Sequence, residues 1–208
     1  MKRTNVIKIE RKFYTETVMN KILEVLYKYP DKEFSLSDLA QAAGVAKGNI
    51  GKVLNDFYKD GIIEIEKLSK IWRIRANRKS PILRRLKITY NLISIYQSYL
   101  GDTNFIDFLN EHFKNPKSIV LFGSFIKGED ISGSDIDIAI EADDLKGYKT
   151  VHLTEIVDKN LRKEVMRFEE AIGRKIQIHL FNRKSVDLNL FNNIANGIVL
   201  SGFLEVRP

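Results

Sequence analysis

The chain predicts an α+β protein of two domains, and three features carry that expectation. The first eighty residues alternate between helical apolar spacing and a short hairpin pattern, whereas the last ninety alternate buried-strand runs with amphipathic segments. A polar, basic break, Ala76-Asn77-Arg78-Lys79-Ser80-Pro81, separates the two patterns. Charge divides along the same line. Residues 1–80 hold 17 basic against 10 acidic side chains, residues 81–117 hold 5 against 3, and residues 118–208 hold 12 against 14. At 208 residues, 44% hydrophobic and 29% charged, the chain has material for one large core or two modest ones, and the break favours two.

The expected organisation is therefore a domain over residues 1–80, a helical connector over 81–103 and a second domain over 104–208. Cysteine is absent, which excludes disulfides and thiolate metal sites. No apolar run reaches membrane-span length and the N-terminus MKRTNVIKIERKFY lacks a signal-peptide core, so no membrane partner and a cytoplasmic location are expected.

In chain order, Val18, Ile22, Val25, Leu26 and Tyr29 recur at helical spacing between Phe13 and Pro30. Ser35 or Ser37 caps a second helix with Leu36, Leu39, Ala40 and Ala43 inward, and Gly44 closes it. A third begins near Ala46 and turns Ile50, Val53, Leu54 and Phe57 inward, ending at Gly61. Alternating runs Ile62–Glu66 and Ile71–Arg75 follow, joined by the basic tip Lys67-Leu68-Ser69-Lys70. Two short helices joined by a glycine turn and followed by a hairpin resemble the winged-helix family over roughly residues 13–77. That resemblance implies DNA as partner, with Lys47, Asn49 and Lys52 on the third helix and Lys67, Lys70 and Arg73 on the wing as contacts. A protein-contact role and a solvated lysine-rich surface are the alternatives.

Pro81 suits a helix start, and Leu83, Leu86, Tyr90, Ile93, Tyr96, Tyr99 and Leu100 give the 82–100 helix a broad apolar surface. It serves either the monomer's packing or a homodimer. A shorter helix, Asn104–Phe113, and the turn Asn115-Pro116 lead to the stretch on which the second domain is organised.

That stretch is SIVLFGSFIKGEDISGSDIDIAIE, Ser118 to Glu141. Ile119–Phe122 is a buried-strand run stopped by Gly123-Ser124, whose glycine lets backbone N–H groups approach a ligand and whose hydroxyl adds a donor, so the turn and a following helix N-terminus suit a phosphate. Lys127 stands near as counter-charge. After ten intervening residues comes Asp135-Ile136-Asp137, and a strand here puts both carboxylates on one face and Ile136, Ile138 and Ile140 on the other. One face would be dry and the other acidic. Adjacent carboxylates repel unless a cation lies between them, and oxygen pairs are what Mg²⁺ and Mn²⁺ prefer.

Gly-Ser, ten residues, Asp-x-Asp resembles the signature of the polymerase beta-like nucleotidyltransferase superfamily, and most of all its minimal branch, which includes antitoxins that transfer AMP to a partner. The resemblance implies a mixed sheet flanked by helices and Mg²⁺ (or Mn²⁺)-dependent transfer of NMP from an NTP, ATP foremost, to a protein or nucleic-acid hydroxyl. It assigns catalysis and metal to Asp135 and Asp137, and nucleotide to Gly123, Ser124, Lys127 and Ser134. The superfamily's third carboxylate falls on a third strand, Lys175–Phe181, where Gln177 stands instead. A neutral amide orients water but accepts no proton at pH 7. His179, two residues on, is an alternative base or ligand. Glu141 shares the acidic face, and Glu129 and Asp130 read as exposed loop residues. This departure keeps a second reading open: a nucleotide-sensing transcriptional regulator with little or no turnover. A long helix Leu153–Ile172 closed by Gly173, a last helix Val186–Ala195 and a short edge strand at Ile198–Leu200 complete the expectation.

Overall fold

The computed structural model describes residues 17–68, 71–95, 105–142 and 147–206. The chain divides into two compact units, Met1–Tyr90 and Asn91–Pro208.

The first unit packs three helices, α1 (Val18–Lys28), α2 (Leu36–Ala42) and α3 (Lys47–Lys59), on a three-stranded antiparallel sheet in the order β1-β3-β2. The local signals explain each start. Thr17 accepts from the Asn20 N–H at 3.1 Å to cap α1, and Ser35, not Ser37, accepts from the Asp38 N–H at 3.1 Å to cap α2. The expected hairpin forms from β2 (Ile63–Leu68) and β3 (Ile71–Ala76), with Ile65 opposite Ile74. The strand β1 (Glu33–Phe34), too short for any periodic signal, adds to the other edge of β3. Ile22, Leu26, Leu39, Ile50, Leu54 and Ile74 are fully buried in the core. The helix expected from Phe13 begins instead at Val18, after the extended Thr17, and residues 13–16 lie outside the described residues.

Helix α4 (Pro81–Ile95) starts at the expected proline. Its Leu83 and Tyr90 belong to the first unit's core, and its Leu92 and Ile95 to the second unit's. The remainder of the expected helix, 96–100, lies outside the described residues.

The second unit is built on a five-stranded mixed sheet in the order β6-β7-β5-β4-β8, formed by β4 (Ser118–Phe122), β5 (Ile136–Glu141), β6 (Tyr148–His152), β7 (Ile176–Phe181) and β8 (Ile198–Gly202). Only β5 and β7 run parallel; the other pairs are antiparallel. Helix α5 (Phe105–His112) and α7 (Lys159–Ile172) supply Leu109, Phe105, Val165 and Phe168 to one face of the sheet, against Ile119, Ile136, Ile138 and Ile178. Helix α8 (Leu188–Ala195) covers the other face with Ile194 against Val120, Phe122, Ala139 and Phe181.

Two expectations change here. The helix expected over Leu153–Ile172 is preceded by an unforeseen edge strand, β6, and is itself divided: α6 (Leu153–Ile156) stops at the extended Val157, and α7 restarts with Asp158 accepting from the N–H groups of Asn160 and Leu161 at 2.8 and 3.0 Å. An aspartate that can cap competes with continuation of the helix, and the apolar period through Ile156 and Leu161 conceals the break. Tyr148-Lys149-Thr150-Val151-His152 escaped notice because an edge strand with half-exposed faces carries no apolar run. No helix among the described residues is long and apolar enough to cross a membrane.

Candidate functional site

Strand β4 is buried at all five positions, and β5 lies beside it at the centre of the sheet with Phe122 opposite Asp137. Between them the chain makes turns, the looped form of the helical or looped excursion expected there: the Ser124 carbonyl accepts from the N–H groups of Lys127 at 3.2 Å and Glu129 at 3.0 Å, and that of Phe125 from Gly128 at 3.3 Å. Gly123 has φ +85°, and a Cβ placed there would lie 2.1 Å from Asp137 Oδ2. Glycine suits the backbone sign, and any Cβ there would displace the Asp137 carboxylate it faces.

The far part of the loop is held by a buried polar network. Asn91 Nδ2 donates to the Phe125 carbonyl at 2.7 Å and to Asp130 Oδ1 at 2.9 Å, and Arg174 Nη2 donates to Asp130 Oδ2 at 3.1 Å. Asp130 is 2% exposed, so the expectation of an exposed loop residue is wrong. A buried carboxylate persists only when paired and hydrogen-bonded, and it receives both. The Ser134 hydroxyl accepts from the Ile131 N–H at 2.9 Å and closes the turn before Asp135.

Asp135 stands one residue ahead of β5, anchored by the Ile136 N–H donating to the Lys175 carbonyl at 2.8 Å. Asp135 and Asp137 are both half-buried. The acidic face expected along β5 is acidic only at this end. Ala139 is fully buried beneath α8, and Glu141, 4% exposed, accepts from the Ser118 hydroxyl at 3.1 Å, which removes it from the site. Lys127 directs its ammonium to Asn193 of α8 at 3.3 Å.

The register decides what lies opposite the aspartates. Gln177 of β7 pairs with Asp137, and His152 of β6 pairs with Gln177. His179, 8% exposed, brings Nε2 to 2.9 Å from Asp137 Oδ1, stacks its ring edge-on to Phe122 with centroids 4.8 Å apart, and hydrogen-bonds Tyr148 through Nδ1. The Thr150 hydroxyl donates to the Tyr148 hydroxyl at 2.6 Å. Sequence reading reached Gln177 and His179 but not Tyr148, Thr150 or His152, because all three lie on the strand it missed. His152 Nδ1 is buried with no hydrogen-bond partner among the described residues. A cleft of about 680 Å³ opens beside Asp135, with Ser134, His152, Arg174 and Lys175 in its wall.

The second unit thus sets a glycine turn against an Asp-x-Asp strand in a mixed sheet with helices on both faces. Residues 103–202 match the family model described as polymerase beta, nucleotidyltransferase. The match covers the whole sheet of the second unit and supports a nucleotidyltransferase-type domain there. No match to a curated protein or to a solved structure was found.

Members of such nucleotidyltransferase families use divalent metals and NTPs, and the donor set here can be tested against that. Among the described residues no group of three or more His, Asp or Glu side chains is gathered as metal ligands. Mg²⁺ is commonly held by one or two carboxylates, with substrate phosphates and water filling its shell. Two half-buried carboxylates beside a glycine turn fit that pattern; they do not fit a structural zinc site, which needs four protein ligands.

In the first unit, Lys47, Asn49 and Lys52 are exposed on α3, whose Ile50, Leu54 and Phe57 are buried. Lys67 lies over the Trp72 ring, 4.3 Å from its centroid, while Arg73 pairs with Glu33 at 3.5 Å and Glu66 at 3.9 Å. Lys70 lies outside the described residues.

Proposed function

We propose that the chain is a Mg²⁺-dependent nucleotidyltransferase that moves NMP from an NTP, ATP foremost, to a hydroxyl acceptor, and that its first unit is a winged-helix module that binds DNA. The observation that carries the reading is the close approach of Gly123 and Asp137, which joins the glycine turn to the acidic end of β5. In this reading Asp135 and Asp137 hold the metal, which when bound supplies charge neutralisation along the triphosphate. Gly123 and Ser124 receive phosphate oxygens at the turn, and the Asn91–Asp130–Arg174 network keeps the loop in place, so that binding costs little reorganisation. Exposed Lys47, Asn49 and Lys52 of α3 supply the first unit's contacts to the duplex.

A second reading, a nucleotide-sensing regulator, is favoured by one observation: Gln177 stands in register with Asp137, where a third carboxylate would take the acceptor's proton. One experiment separates the two. The full chain is incubated with α-labelled ATP and Mg²⁺, alone and with cell lysate or DNA, beside Asp135→Asn and Asp137→Asn. Label transfer lost in both variants supports the transferase. Tight ATP binding without transfer supports the sensor, and neither binding nor transfer rejects both.

A further inference from the structure

The oxygens of Asp137 are not equivalent. Oδ2 faces Gly123, where a Cβ would meet it at 2.1 Å, and Oδ1 lies 2.9 Å from His179 Nε2. An ionised carboxylate only accepts, so the proton of that second contact sits on Nε2. With the ring neutral, Nδ1 is then an acceptor, and the Tyr148 hydroxyl bonded there is placed to donate its one proton to it. The Tyr148 oxygen is left as an acceptor, and Thr150 donates to it at 2.6 Å. Donors and acceptors thus close in one direction, from Thr150 through Tyr148 and His179 to Asp137.

The ring is held on its other side as well. Phe122, the residue before the Gly123 turn, packs against it edge to face, and the ring is 8% exposed. The edge strand β6 therefore reaches across β7 to a carboxylate of β5. Deletion of any hydrogen-bonding member would free the imidazole to turn or exchange tautomers, and Asp137 to rotate.

We infer that His179 is a positioning residue: in the tautomer selected by Tyr148 and Thr150, it occupies Asp137 Oδ1 and thereby leaves Oδ2, beside the Gly123 turn, as the oxygen with which Asp137 would hold a divalent cation. The hydrogen-bond chain stands on the geometry alone, while the cation rests on the transferase reading above. Such partners of a ligand typically change metal affinity 10–100-fold when removed.

The test uses the full chain labelled with ¹⁵N-histidine, of which there are three residues, and Mn²⁺ as the probe. Long-range proton–nitrogen correlation reports the His179 tautomer, and electron paramagnetic resonance titration reports Mn²⁺ affinity without nucleotide or turnover. In the parent the proton is expected on Nε2. Tyr148→Phe, a change at a 43% exposed edge-strand residue that leaves the core untouched, is expected to give a tautomer mixture and weaker Mn²⁺ binding. His179→Ala is expected to weaken Mn²⁺ binding by about 10–100-fold, and His179→Gln, which keeps an N–H donor, to recover part of it. A parent ring with a proton on Nδ1, alone or as the imidazolium, overturns the inference, as does Tyr148→Phe with tautomer and Mn²⁺ affinity both unchanged, or His179→Ala with Mn²⁺ affinity unchanged. Asp137→Asn binding Mn²⁺ as tightly as the parent instead rejects the metal reading, with the tautomer results still deciding the chain of hydrogen bonds.

Discussion

Asp137 Oδ2 lies 2.1 Å from the position a Cβ on residue 123 would take, and Gly123 is held at φ +85°. The turn and the acidic strand are thus parts of one object: the turn keeps its shape only while residue 123 has no side chain, and the carboxylate keeps its place only while the turn leaves that space. Several consequences are measurable.

Gly123→Ala combines a left-handed backbone, costly for a residue with Cβ, with displacement of Asp137. A loss of about 1–3 kcal/mol in urea unfolding is expected, together with loss of ATP and Mn²⁺ binding. Parent-like binding would show that the contact has no role in the site.

Asp130 and Arg174 pair with side-chain exposures of 1% and 6%. Removal of one partner strands the other in a poorly solvated place, so Asp130→Ala or Arg174→Ala is expected to cost about 3–5 kcal/mol. The double variant should cost less than the two single losses together, and a double-mutant cycle by denaturant titration measures the difference.

Asp158 caps α7, and hydrogen bonds from the Leu161 and Asn160 N–H groups hold its carboxyl below the usual carboxylate range. A group lowered by folding contributes stability that is fully present above its unfolded pKa and is lost as pH falls through the folded value. The parent should therefore lose stability on acidification over that window by more than Asp158→Asn, which still caps but does not titrate. Thermal melts from pH 6 down to pH 3 compare them.

Gln177 faces Asp137 in register across a parallel strand pair. If proton removal limits transfer, Gln177→Asp should raise the rate by at least about tenfold, since a positioned base is commonly worth more than that. A quench-flow measurement with no gain would place the limit elsewhere.

Lys47 and Lys52 are exposed on α3. Each alanine substitution is expected to weaken duplex DNA binding at every sequence tested and to lower the slope of log affinity against log salt by about one. Binding that ignores salt would point to a protein contact instead.

Much of this protein is written in local pattern. Ser35 and Gly173 mark helix ends that the structure keeps, the alternation of Ile136, Ile138 and Ile140 marks the buried face of β5, and Gly-Ser with Asp-x-Asp marks the candidate site, because caps, period and backbone sign act within a few residues. What tertiary structure alone decided is what those residues meet. Asp130 is buried because Asn91 and Arg174, 39 and 44 positions away, converge on it, and Asp137 has one oxygen engaged because β7 runs parallel to β5 and delivers His179 to it. Register and burial arise from contacts between segments far apart in the chain, and no residue's immediate neighbours encode them.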